Sequence, residues 1–274
     1  MADSFTTADH LAQVLAAYSK SDNPRYNELA QAAIRHLHAF VSETGLTREE
    51  WFAGISWLVA TGQKSDDKRN EFILASDTLG VSMLVEMTNH QAAGGTEPTV
   101  FGPFHLEGAP ERERGASIAD KDYGAPPLLF TGTVRSTADG SPIAGARLDV
   151  WQAAPNLCYD VQDPEMPPMN YRGVFRSADD GSYAFVTTRP PAYQIPGDGP
   201  AGAMLRAMNR HNWRPGHTHV VVEAPGYKTV ITHVFDAASD YLDSDAVFGV
   251  RDSLIVDMSG EQVTFDFTLE PAGL

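Results

Sequence analysis

The chain has almost no cysteine, few positive charges and no long hydrophobic run, and each shortage closes a class of explanation. Cys158 is the only cysteine in 274 residues. No internal disulfide can form, and the chain fits a reducing compartment, which gives the expectation of a cytoplasmic protein. Lys and Arg number 20 against 36 Asp and Glu, for a formal net charge of −16. Neutralising phosphates needs clustered cations, so this balance argues against nucleic acid and anionic membrane as partners. The cations that exist are interleaved with acids: Arg112 and Arg114 sit among Glu111 and Glu113, and Lys68-Arg69 follows Asp66-Asp67. No apolar stretch approaches the roughly 20 residues of a transmembrane helix. Met1-Ala2-Asp3-Ser4 shows neither the basic start nor the apolar core of a secretion signal, so no leader is expected.

What is present suits a globular protein. Hydrophobic residues make up 42% and charged residues 20% of the chain, enough for one large domain or two modest ones with a real core. The first hundred residues carry helical spacing. Leu11, Val14, Leu15 and Tyr18 fall on one face, as do Leu29, Ala33, Leu37, Phe40 and Val41. Thr44-Gly45 is a stop. Thr47 to Glu50 is a capping box that opens a helix carrying Trp51, Phe52, Ile55, Leu58 and Val59, ended by Gly62. The stretch 72–87 reads as one further helix, apolar almost all round, which needs a partner on more than one side. Residues 91–95 read as a loop.

The texture then changes. Short runs rich in Val, Ile, Thr and Phe alternate with turn dipeptides such as Asp139-Gly140 and Asp180-Gly181. The expected strands are 129–134, 146–151, 182–186, 219–222, 229–234 and 263–269. Their spacing predicts an antiparallel β-sandwich. The Gly- and Pro-rich stretch 95–127 is expected to wrap the junction.

The chemistry concentrates in Arg214-Pro215-Gly216-His217-Thr218-His219, which runs into Val220-Val221-Val222. Residues i and i+2 of a strand share a face, so both imidazoles can converge on one point, as a metal requires. Alone, the pair is also compatible with one surface histidine and one hydrogen-bonded histidine at a strand start. Tyr159 and Tyr193 lie in loop segments, where each by itself reads as a packed ring with a bonded hydroxyl. A phenol ionises near pH 10 unless a strong Lewis acid stabilises the phenolate, which ferric iron does and which zinc or calcium seldom do. Two tyrosines and two histidines together would form a charge-neutralising, oxygen-rich site suited to Fe(III).

Taken with Gly102-Pro103-Phe104, Asp149-Val150-Trp151-Gln152-Ala153 and Tyr159-Asp160, the histidine segment resembles the intradiol ring-cleavage dioxygenases, the non-haem Fe(III) family that includes catechol 1,2-dioxygenases. The resemblance covers most of the chain. It implies an α+β protein: a helical N-terminal dimerisation region, residues 1–105, and a β-sandwich catalytic domain, residues 106–274. It implies Fe(III) held by Tyr159, Tyr193, His217 and His219, with Tyr193 also accepting a substrate proton. Arg214 is implied to stabilise negative charge on the ring, and His233 to stand beside the ligands where catechol-type members commonly have glutamine. The partners implied are O2, a small aromatic diol or triol, and a second copy of the chain, with phospholipid held between the helices.

Within the family the chain most resembles the hydroxyquinol-cleaving subgroup. The pocket positions implied are Leu74 and Asp77, then Val100, Phe101, Gly102, Pro103 and Phe104, then Ile195 and Pro196, and finally Arg214 and Val247. Asp77 can accept a hydrogen bond from a third ring hydroxyl, which catechol lacks; it can also simply cap or solvate its helix. One departure concerns backbone. The family usually has Asp-Gly-Phe before the first tyrosine, and this chain has Asn156-Leu157-Cys158, so a changed loop is expected at the lost glycine. The other readings are cleavage of catechol or a chlorocatechol, and a non-catalytic sandwich that binds carbohydrate or protein. The last leaves both tyrosines, both histidines and Arg214 without a role.

Overall fold

The computed structural model describes residues 5–66, 69–89 and 94–273. The loop expected at 91–95 therefore lies outside the described residues as far as Ala93, as do Met1 to Ser4 and Lys68. The chain divides into two compact units, Met1–Val59 and Ala60–Leu274.

The first unit is helical. Helix α1 (Thr7–Ala17) starts at a reciprocal cap in which Thr6 and Asp9 satisfy each other's backbone amides. Helix α2 (Pro24–Thr44) has Asn23 as its N-cap and stops at Gly45, whose φ of +60° is left-handed. Helix α3 (Arg48–Lys64) opens on the expected box, with Thr47 and Glu50 bonded in both directions. It passes through Gly62 to Lys64, two residues beyond the expected stop. Leu37, Phe40, Trp51 and Phe52 are all exposed on α2 and α3.

The stretch expected as one helix over 72–87 is two. Helix α4 (Glu71–Thr78) and helix α5 (Val81–Asn89) are separated at Leu79-Gly80, where Gly80 takes φ +73°. A left-handed residue ends a helix, and apolar periodicity on both sides hid the break. Leu74, Ala75 and Met83 are buried, while Phe72, Leu79, Leu84 and Val85 remain exposed. These two helices, which composition groups with the N-terminal part, belong to the compact unit that holds the sheets.

That unit contains β1 (Pro127–Ser136), β2 (Arg147–Trp151), β3 (Arg172–Arg176), β4 (Ser182–Thr188), β5 (Tyr193–Gln194), α6 (Pro200–Ala207), β6 (Trp213–Arg214), β7 (His217–Glu223), β8 (Val230–Asp236), β9 (Ile255–Val256), β10 (Gln262–Thr264) and β11 (Phe267–Leu269). One sheet runs β3-β2-β7-β8-β9; the other places β4 on one edge of β1 and β10 and β11 along the other. The expected strand 263–269 is two strands, and both run parallel to β1, as β9 does to β8. The sandwich is therefore mixed rather than purely antiparallel: the C-terminal segment returns by a crossover rather than a hairpin.

Alternation decides which face of the five-stranded sheet carries what. Leu148 and Val150 of β2, Val220 and Val222 of β7, and Val230 and Val234 of β8 point into the core against Phe130, Phe185 and Phe267. Asp149 and Trp151, His217 and His219, and His233 and Phe235 must then occupy the opposite face. The segment 110–118 pairs with both sheets, Arg112 with Val174 of β3 and Ile118 with Val186 of β4.

Candidate metal centre

Pairing puts Trp151, His219 and His233 in one row across three neighbouring strands, with His217 opposite Phe235 in the next row of that face. The row lies under two loops and the short β5–β6 ribbon. Tyr159 arrives from the loop after β2. Tyr193 and Arg214 are cross-strand partners in β5 and β6. All six of the chemically distinctive side chains, Tyr159, Tyr193, Arg214, His217, His219 and His233, are buried.

Their atoms converge. Tyr159 Oη lies 3.0 Å from His219 Nε2, and His219 Nε2 lies 3.1 Å from His217 Nε2. Tyr193 completes the cluster, its ring 5.3 Å from that of Tyr159 and 5.5 Å from that of His217. His217 Nδ1 donates to the Pro215 carbonyl at 2.7 Å, which assigns its proton to Nδ1 and leaves a lone pair on Nε2. Arg214 Nη1 stands 3.2 Å from that lone pair.

The electrostatics keep the buried imidazoles neutral. Burial holds His217 well below its usual value, reinforced by Arg214, and holds His219 and His233 down in the same way, each aided by a neighbouring imidazole. Burial also pushes the Tyr159 phenol well above its ordinary range, with Tyr193 adding to the effect. A phenol this desolvated ionises when a strong cation lies beside it. Two donor atoms, each about 2.1 Å from one ion, stand about 3 Å apart when their bonds are near perpendicular. The observed separations therefore fit a common ion, and the donor set of neutral imidazole and phenol oxygen fits ferric iron. His217, His219 and His233 each also offer a nitrogen within 4.8 Å of one another. His233, however, turns Nδ1 to Arg214 Nη2 at 3.4 Å, and its buried Nε2 has no hydrogen-bond partner among the described residues.

Arg214 is held by a buried carboxylate. Asp245 accepts from its Nε at 3.0 Å and from Nη2 at 3.2 Å, and also from the backbone amides of Val247 and Gly249. Burial opposes the guanidinium charge, but Asp245 and the two phenols outweigh it, so Arg214 stays charged.

The other expected pocket residues divide. Phe104 stacks on Tyr159 at 4.8 Å, and Gly102 (φ +79°) passes so close that a Cβ there would lie 3.1 Å from His219 Cε1. Asp77 is buried and feels the charges of Arg214 and Asp245; burial pushes its carboxyl up to about 6. Val247 follows Asp245 on the turn beneath Arg214. Leu74, Val100 and Ile195 are buried, Pro103 and Pro196 half-buried, and none of these five makes a side-chain polar contact with the cluster. Phe101 is exposed and packs on His105 and on Trp151, the ring stacked against His219. The lost loop glycine leaves its backbone behind, because Leu157 adopts φ +69°, the left-handed conformation glycine favours. Sequence reasoning missed two residues. Nothing in spacing ties Asp245 to Arg214, 31 residues earlier. Trp151 reads as an ordinary strand aromatic until the sheet register sets it against His219.

Two family models account for the chain, a catechol dioxygenase N terminus over residues 23–97 and a dioxygenase over residues 100–271. A 6-chlorohydroxyquinol 1,2-dioxygenase of Cupriavidus pinatubonensis is 48% identical over 94% of this chain and 95% of its own. A hydroxyquinol 1,2-dioxygenase of a Rhizobium species is 47% identical over 89% and 83%. The solved hydroxyquinol 1,2-dioxygenase of Pseudomonas putida DLL-E4 superposes with a TM-score of 0.88 at 47% identity, covering 97% of this chain and 99% of that one. The catechol 1,2-dioxygenase of Acinetobacter sp. ADP1 is more distant in sequence, at 26% identity and a TM-score of 0.81 over 97% and 92%. Fold and site thus define a dioxygenase. The chain belongs to the intradiol ring-cleavage dioxygenase family.

Proposed function

We propose that this enzyme cleaves hydroxyquinol (1,2,4-trihydroxybenzene) between its two adjacent hydroxylated carbons. One O2 adds to each ring, giving 3-hydroxy-cis,cis-muconate, the tautomer of maleylacetate, in the catabolism of aromatic compounds. Tyr159, Tyr193, His217 and His219 would hold Fe(III). When bound, ferric iron supplies a Lewis acid and template that draws the two diol oxygens together and makes the ring electron-rich toward O2.

The chain's own groups do the rest. His217 presents its Nε2 lone pair because Pro215 holds the Nδ1 proton. Tyr193 Oη accepts one proton of the bound diol. Arg214, kept charged by Asp245 and fixed 3.2 Å from His217 Nε2, faces the negative charge that develops on the ring. Being pre-oriented and buried, it needs no rearrangement when that charge appears. Asp77, which already interacts with Ser82, has a further acceptor position for the third hydroxyl; catechol leaves that buried position unfilled, which penalises that analogue. Phe104, Gly102 and Val247 exclude water around the ring.

The observation that carries this reading is the meeting of Tyr159 Oη, His217 Nε2 and His219 Nε2 within 3.0 and 3.1 Å, with the buried Asp77 carboxyl close enough to feel the charge of Arg214. A visible spectrum of the iron-loaded protein, before and after hydroxyquinol without O2, tests it. A tyrosinate-to-Fe(III) band that shifts on addition is the expected result. A protein colourless after ferric loading would remove the tyrosines from the site. Comparing kcat/KM for hydroxyquinol, catechol and a chlorocatechol then tests the substrate.

The same reading takes the enzyme as a cytoplasmic homodimer joined through its N-terminal helices, with phospholipid held between them. The exposed apolar residues of α2 and α3 support this. Sedimentation of the purified protein and mass spectrometry of its solvent extract test the two parts. No described helix is long and apolar enough to cross a membrane.

A further inference from the structure

Three segments that meet around the candidate pocket are remote in sequence: the end of α4, which carries Asp77; the turn 245–248, which carries Asp245 and Val247; and the chain leading from α6 into Arg214. Arg210 joins all three. Its backbone amide donates to Leu205 of α6 at 2.8 Å. Its Nη1 donates to the carbonyl of Thr78, the last residue of α4 and the neighbour of Asp77, at 2.9 Å. Its Nη2 donates to the carbonyl of Ala246, between Asp245 and Val247, at 3.1 Å. The guanidinium carbon also lies 4.4 Å from the centre of the Phe248 ring.

The details suit this job. A helix ends with carbonyls that lack intrahelical partners, and a cation there is favoured by both hydrogen bonding and the helix dipole. The turn it reaches is strained, since Phe248 is a non-glycine residue at φ +59°. On its other side the Phe248 ring closes on Gly80, where a Cβ would stand 3.4 Å from the ring. The turn is also tied inward, for Ala246 donates to the Trp213 carbonyl at 3.1 Å. A planar guanidinium can hold two carbonyls at once and still face an aromatic ring. A lysine ammonium offers one point of attachment.

We propose that Arg210 is a positioning residue for substrate choice: by clamping Thr78 and Ala246 it sets the separation between Asp77 on one wall of the pocket and Arg214 with Val247 on the other. This rests on the reading of Asp77 as the acceptor for the third hydroxyl. Arg210 touches neither the ring nor the metal ligands, so its loss acts through KM and discrimination rather than through the iron.

The test is Arg210→Lys, with iron content, visible spectrum and steady-state kinetics on hydroxyquinol and catechol. The expected result is iron and band like those of the unsubstituted enzyme, with the hydroxyquinol-to-catechol ratio of kcat/KM lowered about fivefold or more, mainly through KM for hydroxyquinol. In an Asp77→Ala background the same substitution should change the ratio less than twofold, because the group being positioned is gone. A soluble, iron-replete Arg210→Lys enzyme with an unchanged ratio overturns the proposal, as does an undiminished effect without Asp77. Should Arg210→Lys fail to fold, Phe248→Leu decides. It removes the ring contact while keeping both hydrogen bonds, and is expected to shift the ratio the same way by a smaller factor; no shift overturns the clamp. The unsubstituted enzyme, measured alongside, tests the substrate reading separately. An enzyme that prefers catechol sinks that reading, while the change of ratio on substitution still judges Arg210.

Discussion

Trp151 lies flat against His219, ring centroids 4.5 Å apart and planes 13° from parallel. The two are direct partners across β2 and β7. His219 Nδ1 has no hydrogen-bond partner among the described residues, whereas a metal-binding histidine usually anchors its second nitrogen on a carboxylate or carbonyl. The orientation of this imidazole is therefore set by stacking on Trp151, by the Gly102 backbone and by Tyr159. Trp151→Leu removes the flat wall. The expected outcome is iron affinity lowered about 10- to 100-fold, comparable to loss of an outer-shell partner, read by chelator competition.

His217→Ala and His219→Ala each remove a converging nitrogen. Both should be purified with little iron and without the visible band, and full iron stoichiometry in either would refute the assignment. His233→Ala is the informative contrast. It should retain iron, since its Nδ1 is turned to Arg214 Nη2 even though its ring packs on His217 and His219; iron loss there would make it a ligand in place of a tyrosine.

Asp77 gives a pH signature with a definite sign. Burial raises its carboxyl from 3.8 to about 6, with Asp245 adding to the rise and Ser82 and Arg214 opposing it. The folded state thus holds this proton more tightly than the unfolded chain. Its contribution to stability falls as pH rises from about 4 to about 6 and stays low above. Denaturation of the native enzyme against Asp77→Asn should show the difference turning against the native residue by about 2 kcal/mol between pH 4 and pH 7. In kinetics, KM for hydroxyquinol should rise as pH falls through about 6, because the protonated carboxyl is a poorer acceptor. Asp77→Asn should abolish that dependence.

Asp245→Asn leaves Arg214 buried opposite a neutral group. Both side chains are only 2% exposed, so the lost charge is not replaced by water. Breaking such a pair costs about 3–5 kcal/mol, measurable by urea unfolding. Turnover should fall with it, since Arg214 loses its anchor.

Leu157 holds a left-handed backbone at φ +69° without being glycine. Leu157→Gly should stabilise the protein by about 1 kcal/mol, the relief of strain exceeding the added flexibility of the unfolded chain. Calorimetry would show it, with the iron site unaltered. A destabilised variant would mean the half-exposed leucine packs for more than its backbone costs.

Much of the fold was legible because local rules produced it. The cap at Thr47, the stop at Gly45 and the alternating strands β1, β2, β4, β7 and β8 lie close to where periodicity and turn residues place them. The failures were of two kinds. Helix 72–87 broke at Gly80 because one left-handed residue outweighs apolar spacing on both sides. Strand β3 went unnoticed because Arg172 to Arg176 carries charge at both ends; Arg172 is buried against Asp160 and the segment at 110 covers Val174, while Arg176 stays exposed. The ligand candidates were legible only through resemblance, apart from His217 and His219, whose two-residue spacing on a strand is itself geometric.

By itself, then, the sequence determined that His217 and His219 share the face opposite Val220 and Val222, because side-chain alternation is a property of a single strand. Its single cysteine also determined that no internal disulfide can form. Tertiary structure alone decided that Tyr159, Tyr193 and Arg214 meet those histidines, that Trp151 is the wall behind one of them, and that Asp245 and Arg210 hold the pocket's sides. Those relationships depend on strand register and on where loops return, and both are set by burial of the whole core rather than by any local pattern.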